Sequence, residues 1–132
     1  MVAKKRVLVV DDNDIVCSVI AKVLDKRGAD VVIAHSGKSA KKALHKFKHF
    51  DAVILDLIMP YASGWDILNL IRSNADTAHT PVIIFSGATI SSDEKAKLAE
   101  RADAFVDKET FNLAQFENTL DELLPSINGT SK

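Results

Sequence analysis

The chain places five polar side chains at or just after the ends of short apolar runs. They are Asp11, Asp12, Asp56, Ser86 and Lys108. If folding brings the three carboxylates together, they repel one another at neutral pH unless a cation lies among them. A hard divalent ion with oxygen ligands is then implied, and Mg²⁺ suits the set best because it keeps several waters and needs few carboxylates. The pattern therefore predicts a magnesium site.

A carboxylate beside Mg²⁺ and a lysine is equipped to attack phosphorus. The metal ion and the ammonium group draw charge from the equatorial phosphoryl oxygens, and the carboxylate becomes an acyl phosphate. A serine hydroxyl at the same edge can donate a hydrogen bond to one of those oxygens. The residue types therefore indicate a switch whose state is set by a phosphoryl group.

Short runs rich in β-branched residues predict the strands that position these side chains. They cover residues 7–10, 31–34, 52–57, 82–85 and, more weakly, 104–106. Apart from Asp56, the first four runs are continuously apolar, which indicates strands buried on both faces. In open α/β sheets the functional crevice lies beyond the carboxyl ends of the strands, which is where the five polar residues fall.

Apolar residues between the strands recur at helical spacing and predict five helices. These lie near residues 15–24, 40–47, 65–71, 93–101 and 113–124. Gly28 follows the basic pair Lys26-Arg27 and is expected to end the first helix. The helix near 93–101 is the poorest in large apolar residues. Five alternating strands and helices predict a three-layer α/β sandwich on a parallel sheet with right-handed crossovers.

Composition limits the class of protein. A chain of 132 residues with 47% hydrophobic residues predicts one domain, and 17 basic against 18 acidic residues argue against direct nucleic-acid binding. The single cysteine, Cys17, fits a reducing compartment. The apolar run at 7–10 is too short for a signal peptide or a membrane span, so we expect a cytoplasmic protein. Residues 125–132, which begin with Pro125, are expected to be a disordered tail or the stub of a linker.

Taken together, the motifs resemble those of response-regulator receiver domains. They are VVDD at 9–12, ILDL at 54–57 followed by Met59-Pro60 and Gly64, FSGA at 85–88, and AFVDK at 104–108. The resemblance covers residues 4–124. It implies a flavodoxin-like (βα)5 fold, with a five-stranded parallel sheet in the order 2-1-3-4-5 carried over from the family.

The resemblance also implies a role for each residue of the metal and phosphoryl site. Asp56 would be the phosphoacceptor, Asp12 a direct Mg²⁺ ligand, and Asp11 a metal-site residue acting largely through water. The backbone carbonyl of Ile58 would complete the coordination supplied by the protein.

Three residues would connect the phosphoryl group to the rest of the domain. Ser86 would supply the hydroxyl that moves toward the phosphoryl group, and Lys108 would form a salt bridge with it. Phe105 would be the aromatic residue whose rotamer reports activation. The signal would leave through the face formed by helix four, strand five and helix five.

The resemblance implies partners as well. A sensor histidine kinase or a phosphotransfer protein would donate the phosphoryl group, and a downstream protein or output domain would respond to it. Formation of a homodimer on phosphorylation is a further interpretation. The domain would assist its own phosphorylation and dephosphorylation without being an enzyme in its own right.

The chain departs from the usual family pattern in three segments. Glu109 follows the lysine where proline in a cis peptide is usual, and a cis bond costs about 3–4 kcal/mol without proline. Ala62-Ser63 stand before Gly64 where Met-Asp is usual. Phe105 lacks the hydroxyl of the common tyrosine, so switching there would depend on packing alone.

Other interpretations stay open at this point. A haloacid-dehalogenase-type phosphatase also uses an aspartate nucleophile and Mg²⁺, but it places a second aspartate two residues on, where this chain has Ile58. A flavin or nucleotide binder would need a glycine-rich loop after a strand, and none is present. A receiver that is never phosphorylated is a further alternative, as is a purely structural role for Asp11-Asp12 as caps of the first helix.

One motif has no place in this interpretation. Residues 31–50 contain five lysines and no acidic residue, and several of the lysines share a helical face. Such faces are usually only solvated, but a role in binding a partner or an anionic surface stays open.

Overall fold

The computed structural model of the chain describes residues 5–59, 62–87 and 91–123. The five strands of its main sheet are β1 (Arg6–Val10), β2 (Asp30–Ala34), β3 (Ala52–Leu55), β4 (Val82–Ser86) and β5 (Ala104–Asp107). The helices are α1 (Asp14–Lys26), α2 (Gly37–Lys46), α3 (Gly64–Ser73), α4 (Ser92–Arg101) and α5 (Leu113–Leu123). A short antiparallel hairpin, which the sequence did not predict, pairs Ile58–Met59 with Ala62–Ser63.

The strands are parallel and lie in the order β2-β1-β3-β4-β5. One apolar core contains residues of α2, α3 and α4, including Ala40, Leu68 and Leu98. A second core contains residues of α1 and α5, including Ile20 and Phe116. The sheet lies between these two cores, so the prediction of a flavodoxin-like three-layer sandwich is confirmed.

Burial differs between the central and the edge strands. Every residue of β3 and β4 is buried, and so are residues 7–10 of β1. The prediction of burial on both faces is wrong for β2, where Ile33 is exposed and only Ala34 is fully buried. An edge strand has a neighbour on one side only, so the flanking helices cover it incompletely. The weaker strand β5 is the other edge, and it alternates between partly buried and exposed residues.

The ends of α1 match the expected signals, with one correction. Gly28 has a left-handed backbone with φ +80°, as a helix-ending glycine should. At the other end the side chain of Asn13 accepts hydrogen bonds from the N–H groups of Ile15 (2.9 Å) and Val16 (3.1 Å). The N-cap is therefore Asn13, and the interpretation of Asp11 and Asp12 as caps is wrong.

The helices are held to the sheet with unequal strength. Helix α3 buries four residues, among them Ile67 and Ile71, whereas α4 buries only Leu98. Since buried apolar area is the main source of packing free energy, α4 is the least firmly held helix among the described elements. The sequence predicted this weakness correctly.

Candidate functional site

Strand register brings the polar residues to one edge of the sheet. Val10 pairs with Leu55 across β1 and β3, so the residues that follow them leave the sheet side by side. Across β4 and β5, Ser86 pairs with Asp107. The residues at or just after these strand ends are Asp11, Asp56, Ser86 and Lys108.

Three carboxylates converge at this edge. Asp11 is 2% exposed, Asp56 is 3% exposed, and Asp12 is open to solvent. One carboxylate oxygen from each residue lies within 4.8 Å of the other two. Hard oxygen donors at this spacing fit a small divalent cation that retains water molecules at its remaining coordination positions. In the described part of the chain this is the one cluster of acidic, histidine or cysteine side chains with such geometry.

Lys108 supplies the counter-charge. Its Nζ lies 2.7 Å from Oδ2 of Asp11 and 3.3 Å from Oδ2 of Asp56. Burial alone would lower the pKa of Lys108, but the hydrogen bond to Asp11 and the negative charges of Asp56 and Asp11 outweigh it, so this pKa is raised. The ammonium group therefore stays charged beside the two buried carboxylates.

The backbone around Lys108 is fixed without proline. No cis peptide bond occurs in the described ranges. The N–H of Glu109, which a proline would lack, donates to Oδ1 of Asp107 at 2.8 Å, and the N–H of Lys108 donates to the carbonyl of Ser86 at 3.0 Å. Glu109 thus departs from the family pattern while Lys108 still reaches both carboxylates.

Asp56 is a carboxylate held in a nearly dry position. Burial, the largest effect, raises its pKa above the usual value, and the negative charge of Asp11 adds to the rise. The N–H of Ile58, which donates to Oδ1 of Asp56 at 3.1 Å, and the charge of Lys108 act in the opposite direction. A cation bound at the cluster would further favour the ionised, nucleophilic form.

Sequence reasoning missed the groups that hold the backbone of Asp11. Its carbonyl oxygen accepts a hydrogen bond from Sγ of Cys17 at 3.3 Å and lies 3.2 Å from Nδ1 of His35. The N–H of Asn13 donates to Oδ1 of the Asp11 side chain at 2.9 Å. Burial and the charge of Asp11 raise the pKa of Cys17 to about 11, so its thiol remains a neutral donor.

Gly64 has a positioning role that the sequence motif did not explain. A Cβ at this position would overlap the carbonyl oxygen of Asp56 and the Cα of Leu57. The N–H of Gly64 donates to the carbonyl of Leu57 at 2.9 Å, which joins the start of α3 to the segment after β3. Just before it, Ser63 accepts a hydrogen bond from the N–H of Trp65 at 3.2 Å and caps α3.

Ser86 and Phe105 lie on neighbouring strands but in different environments. Ser86 is completely buried at the end of β4. Phe105 is turned outward on β5, with Nζ of Lys95 5.7 Å from its ring centroid. It borders a pocket of about 400 Å³ between α4 and β5, which Leu98 also lines. An aromatic ring beside such a pocket has space to change rotamer.

This combination of sheet topology and acidic edge defines a class of protein. A family model for the response regulator receiver domain matches residues 7–122, so the chain belongs to that family, whose members act in two-component signal transduction. The match does not support the alternative interpretation as a haloacid-dehalogenase-type phosphatase. In the described segments no helix is long and apolar enough to cross a membrane.

Individual proteins with receiver domains are similar to this chain in sequence or in structure. The hybrid signal transduction histidine kinase I of Dictyostelium discoideum is 31% identical over 110 residues, which cover 79% of this chain and 6% of the kinase. The chemotaxis protein CheY4 of Vibrio cholerae has a solved structure with a TM-score of 0.81 and 27% identity, covering 92% of this chain and all of that one.

A second solved structure is that of the receiver domain of the sensor histidine kinase PA1611 from Pseudomonas aeruginosa, with magnesium coordinated in its active-site cleft. It has a TM-score of 0.79 and 22% identity, and the match covers 93% of this chain and 99% of that one. The chain spans less than half the length of the curated relatives it matches.

Proposed function

We propose that this receiver domain accepts a phosphoryl group on Asp56 in a Mg²⁺-dependent reaction and transmits the signal through the face formed by α4, β5 and α5. The observation that carries this proposal is the convergence of Asp11, Asp12 and Asp56 with Lys108 between two of them. A sensor histidine kinase or a phosphotransfer protein is the proposed donor. The histidine-kinase relatives support a partner of this class.

The acidic cluster is the proposed binding site of the cation. Asp12 and Asp56 would bind it directly, Asp11 largely through water, and the backbone carbonyl of Ile58 would complete the protein ligands. Bound Mg²⁺ supplies positive charge that neutralises the phosphoryl oxygens. Mg²⁺ is the first ion to test because it occupies the cleft of the PA1611 receiver.

The chain's own residues would carry the transfer. A carboxylate oxygen of Asp56 forms a bond to phosphorus while the bond from phosphorus to the donor's histidine nitrogen breaks, so the nitrogen keeps the electron pair. Lys108, already 3.3 Å from Asp56, balances the charge on the transferred group. Burial of Asp56 limits the access of water to the acyl phosphate.

The donor would approach over apolar side chains beside the cluster. Ile15, in the first turn of α1, is 75% exposed, and Ile58, two residues after Asp56, is 62% exposed. Large apolar residues at such exposure favour contact with another protein. These positions give the donor an apolar surface close to the phosphoacceptor.

The signal would travel from Ser86 to Phe105. The new phosphoryl oxygens are acceptors toward which the hydroxyl of Ser86 moves, and the space vacated lets the ring of Phe105 rotate inward. Helix α4, anchored by Leu98 alone among its residues, is the element most easily displaced. A downstream protein or an output domain would recognise the altered face, and two copies pairing through it is a further proposal.

Other parts of the assignment stay predictions. The domain boundaries at residues 4 and 124 and the disordered tail at 125–132 lie outside the described residues. A cytoplasmic location is supported by the single cysteine, Cys17. The domain is proposed to assist its own phosphorylation and dephosphorylation without acting on another substrate.

Treatment with acetyl phosphate tests the chemistry. Intact mass should show one added phosphoryl group in the presence of Mg²⁺ or Mn²⁺ and none after chelation. The Asp56→Ala variant should remain unmodified. An added mass that is undiminished in Asp56→Ala would exclude Asp56 as the acceptor.

Beryllofluoride, which stands in for the phosphoryl group, tests the signalling path. With Mg²⁺ present it should move amide chemical shifts across residues 91–123 as well as around the acidic cluster. Shifts confined to the loops of Asp11, Asp12 and Asp56 would refute the proposed path through Phe105 while leaving the phosphorylation chemistry intact.

A further inference from the structure

The outward face of α2 carries a continuous stripe of basic side chains. Counted from Lys38, the positions i+3, i+4, i+7 and i+8 project to the same side of a helix. They are occupied by Lys41, Lys42, His45 and Lys46, and all five side chains are exposed. The whole chain has a net charge of −1, so this stripe is a strong local departure from its average.

These lysines have no acidic partner among the residues that the structure describes. No ion pair in the described part of the chain includes Lys38, Lys41, Lys42 or Lys46. Like charges three and four residues apart destabilise a helix. By contrast, Arg27, which follows the last residue of α1, is paired with two carboxylates of α5. No ion pair in the described structure offsets this repulsion, although Lys46 lies in the last turn of α2 with its Nζ 5.2 Å from the centroid of the Phe47 ring.

A groove of about 910 Å³ runs beside the stripe, between α2 and α3. Leu44, which is buried, and Leu70, which is partly buried, give it an apolar floor. Lys41 of α2 and Arg101 of α4 also line it, and the guanidinium of Arg101 donates a hydrogen bond to Oδ1 of Asn69. A side chain inserted here would meet apolar surface below and positive charge at the edges.

Two other residues of the groove restrict what can bind. Arg72 is already engaged, since its guanidinium donates to four backbone carbonyl groups and pairs with Asp103. It acts as a structural clamp between α3 and the segments beside it. Asp66 is the single acidic side chain among the lining residues. An occupant must therefore direct its negative charge toward Lys41 and Arg101.

We propose that this groove, together with the basic stripe, is a docking surface for an acidic, amphipathic segment of a partner protein. Apolar side chains of the segment lie on Leu44 and Leu70, and its carboxylates lie against Lys41 and the neighbouring lysines. An apolar floor beside cationic side chains is complementary in polarity and charge to such a segment.

A bilayer or a nucleic-acid duplex fits these features less well. A flat anionic membrane would meet the stripe but not the recessed floor at Leu44 and Leu70, and the stripe offers no large apolar side chain for insertion. A duplex would use the cations but leave the apolar floor without a partner. The floor is the feature that favours a protein segment.

The docking surface is separate from the phosphorylation chemistry. It is built mainly from α2 and α3, and from the proposed signalling face of α4, β5 and α5 it takes only Arg101, the last residue of α4. The proposal therefore stands whether or not Asp56 is phosphorylated, and unphosphorylated protein is the right sample for its test.

The probe is a synthetic helical peptide with leucines on one face and glutamates flanking them. Its titration into the isotope-labelled full chain should shift amide signals of residues 37–46 and 64–74. A scrambled peptide of the same composition should bind roughly tenfold or more weakly, because its leucines no longer share a face.

Two substitutions and a matched control sharpen the test. Lys41→Glu should weaken peptide binding by about tenfold or more, whereas Lys97→Glu, with the same charge change on an exposed site of α4, should leave it within about twofold. Leu70→Ser removes apolar floor without changing charge and should also weaken binding. The amide spectrum of each variant reports whether it is folded.

Several results would overturn the proposal. Equal binding of the scrambled peptide, or equal loss in Lys41→Glu and Lys97→Glu, would mean diffuse attraction to charge. Shifts centred on α4 and β5 would place the peptide elsewhere. Binding of phosphatidylserine vesicles or duplex DNA to the stripe, with no binding of the amphipathic peptide, would show that the surface serves a membrane or a nucleic acid instead.

Discussion

The acidic cluster and the basic stripe of α2 both concentrate charge of one sign, but they are built differently. In the cluster Asp11 and Asp56 are buried and share Lys108 as a counter-charge. In the stripe every lysine is exposed and has no acidic partner in the described structure. Buried groups of like charge need a counter-charge to be stable, and together these groups form a site for chemistry. Exposed groups of like charge are screened by solvent and salt, so they remain available to a partner.

The largest expected effect comes from removing the shared counter-charge. Lys108→Ala leaves Asp11 and Asp56 facing each other without an ammonium group, and it removes the cation that would stabilise the transferred phosphoryl group. The rate of phosphorylation by acetyl phosphate at saturating Mg²⁺ should fall roughly 100-fold or more. Time-resolved intact mass measures this rate, with Lys97→Ala as the control. A rate close to that of the parent chain would show that Lys108 is dispensable.

The next prediction separates the buried from the exposed carboxylate. Asp11→Ala removes the partner of Lys108 and of the Asn13 N–H, so it should destabilise the metal-free fold by about 1–3 kcal/mol. Asp12→Ala relieves repulsion without removing a buried contact, so it should stabilise the metal-free fold by about 0.5 kcal/mol at low salt while weakening Mg²⁺ binding.

Urea unfolding and calorimetric Mg²⁺ titration measure these two effects. If Asp12→Ala lowered the stability of the metal-free protein, the three carboxylates would not be crowded enough to repel one another. Equal effects of the two variants would remove the distinction between buried and exposed members of the cluster.

A smaller effect is expected in the stripe. Lys42→Glu replaces repulsion with attraction toward Lys38 and Lys46, each four residues away, and should stabilise the fold by about 0.5–1 kcal/mol at low salt. Lys97→Glu should instead lower the stability of the fold, because the new carboxylate lies within a turn of Asp93 and Glu100 on α4 and repels both. High salt should reduce both changes. A stability gain that persists in high salt would point to a cause other than charge.

The smallest effect concerns Cys17, whose environment reports the acidic edge. Burial and the nearby carboxylates raise its pKa from 9.0 to about 11. In the unfolded chain the thiol ionises near pH 9, while in the folded protein it stays protonated to about pH 11, so this residue makes the fold less stable as pH rises between those values.

Thiolate absorbance in metal-free buffer, with Cys17→Ser subtracted as background, measures the titration. Asp14→Asn should lower the pKa of Cys17, because the charge of Asp14 contributes to raising it. Lys42→Glu, in the distant stripe, should leave it unchanged. A thiol that titrates near pH 9 in the folded protein would mean that this edge is neither as dry nor as acidic as described.

The sequence predicted the fold, and it predicted which charged side chains converge at one edge of the sheet, because both depend on local patterns. A short apolar run predicts a strand. The polar residue at or just after its end, such as Asp11, Asp56 or Lys108, is identified from the same few residues. The hairpin at Ile58–Met59 and Ala62–Ser63 was not predicted, since two-residue strands leave no periodic signal.

The contacts that hold the site depend on tertiary structure and could not be read from the pattern. Cys17 and His35 meet at the carbonyl of Asp11 only because α1 and the end of β2 pack together there. The need for glycine at position 64 comes from the backbone of Asp56 and Leu57, which no local rule reveals. The N–H of Glu109 donates to Asp107, and Lys108 contacts Asp11 and Asp56 without a proline after it.

The central claim is that Asp56 is the residue that becomes an acyl phosphate, and chemical trapping tests it most directly. Borohydride reduces an aspartyl phosphate to homoserine, which peptide mass spectrometry then locates. After treatment with acetyl phosphate and Mg²⁺, homoserine should appear at position 56 and be absent from the chelated sample. Homoserine at position 11 or 12, or its absence from all three positions in the Mg²⁺ sample, would contradict the account.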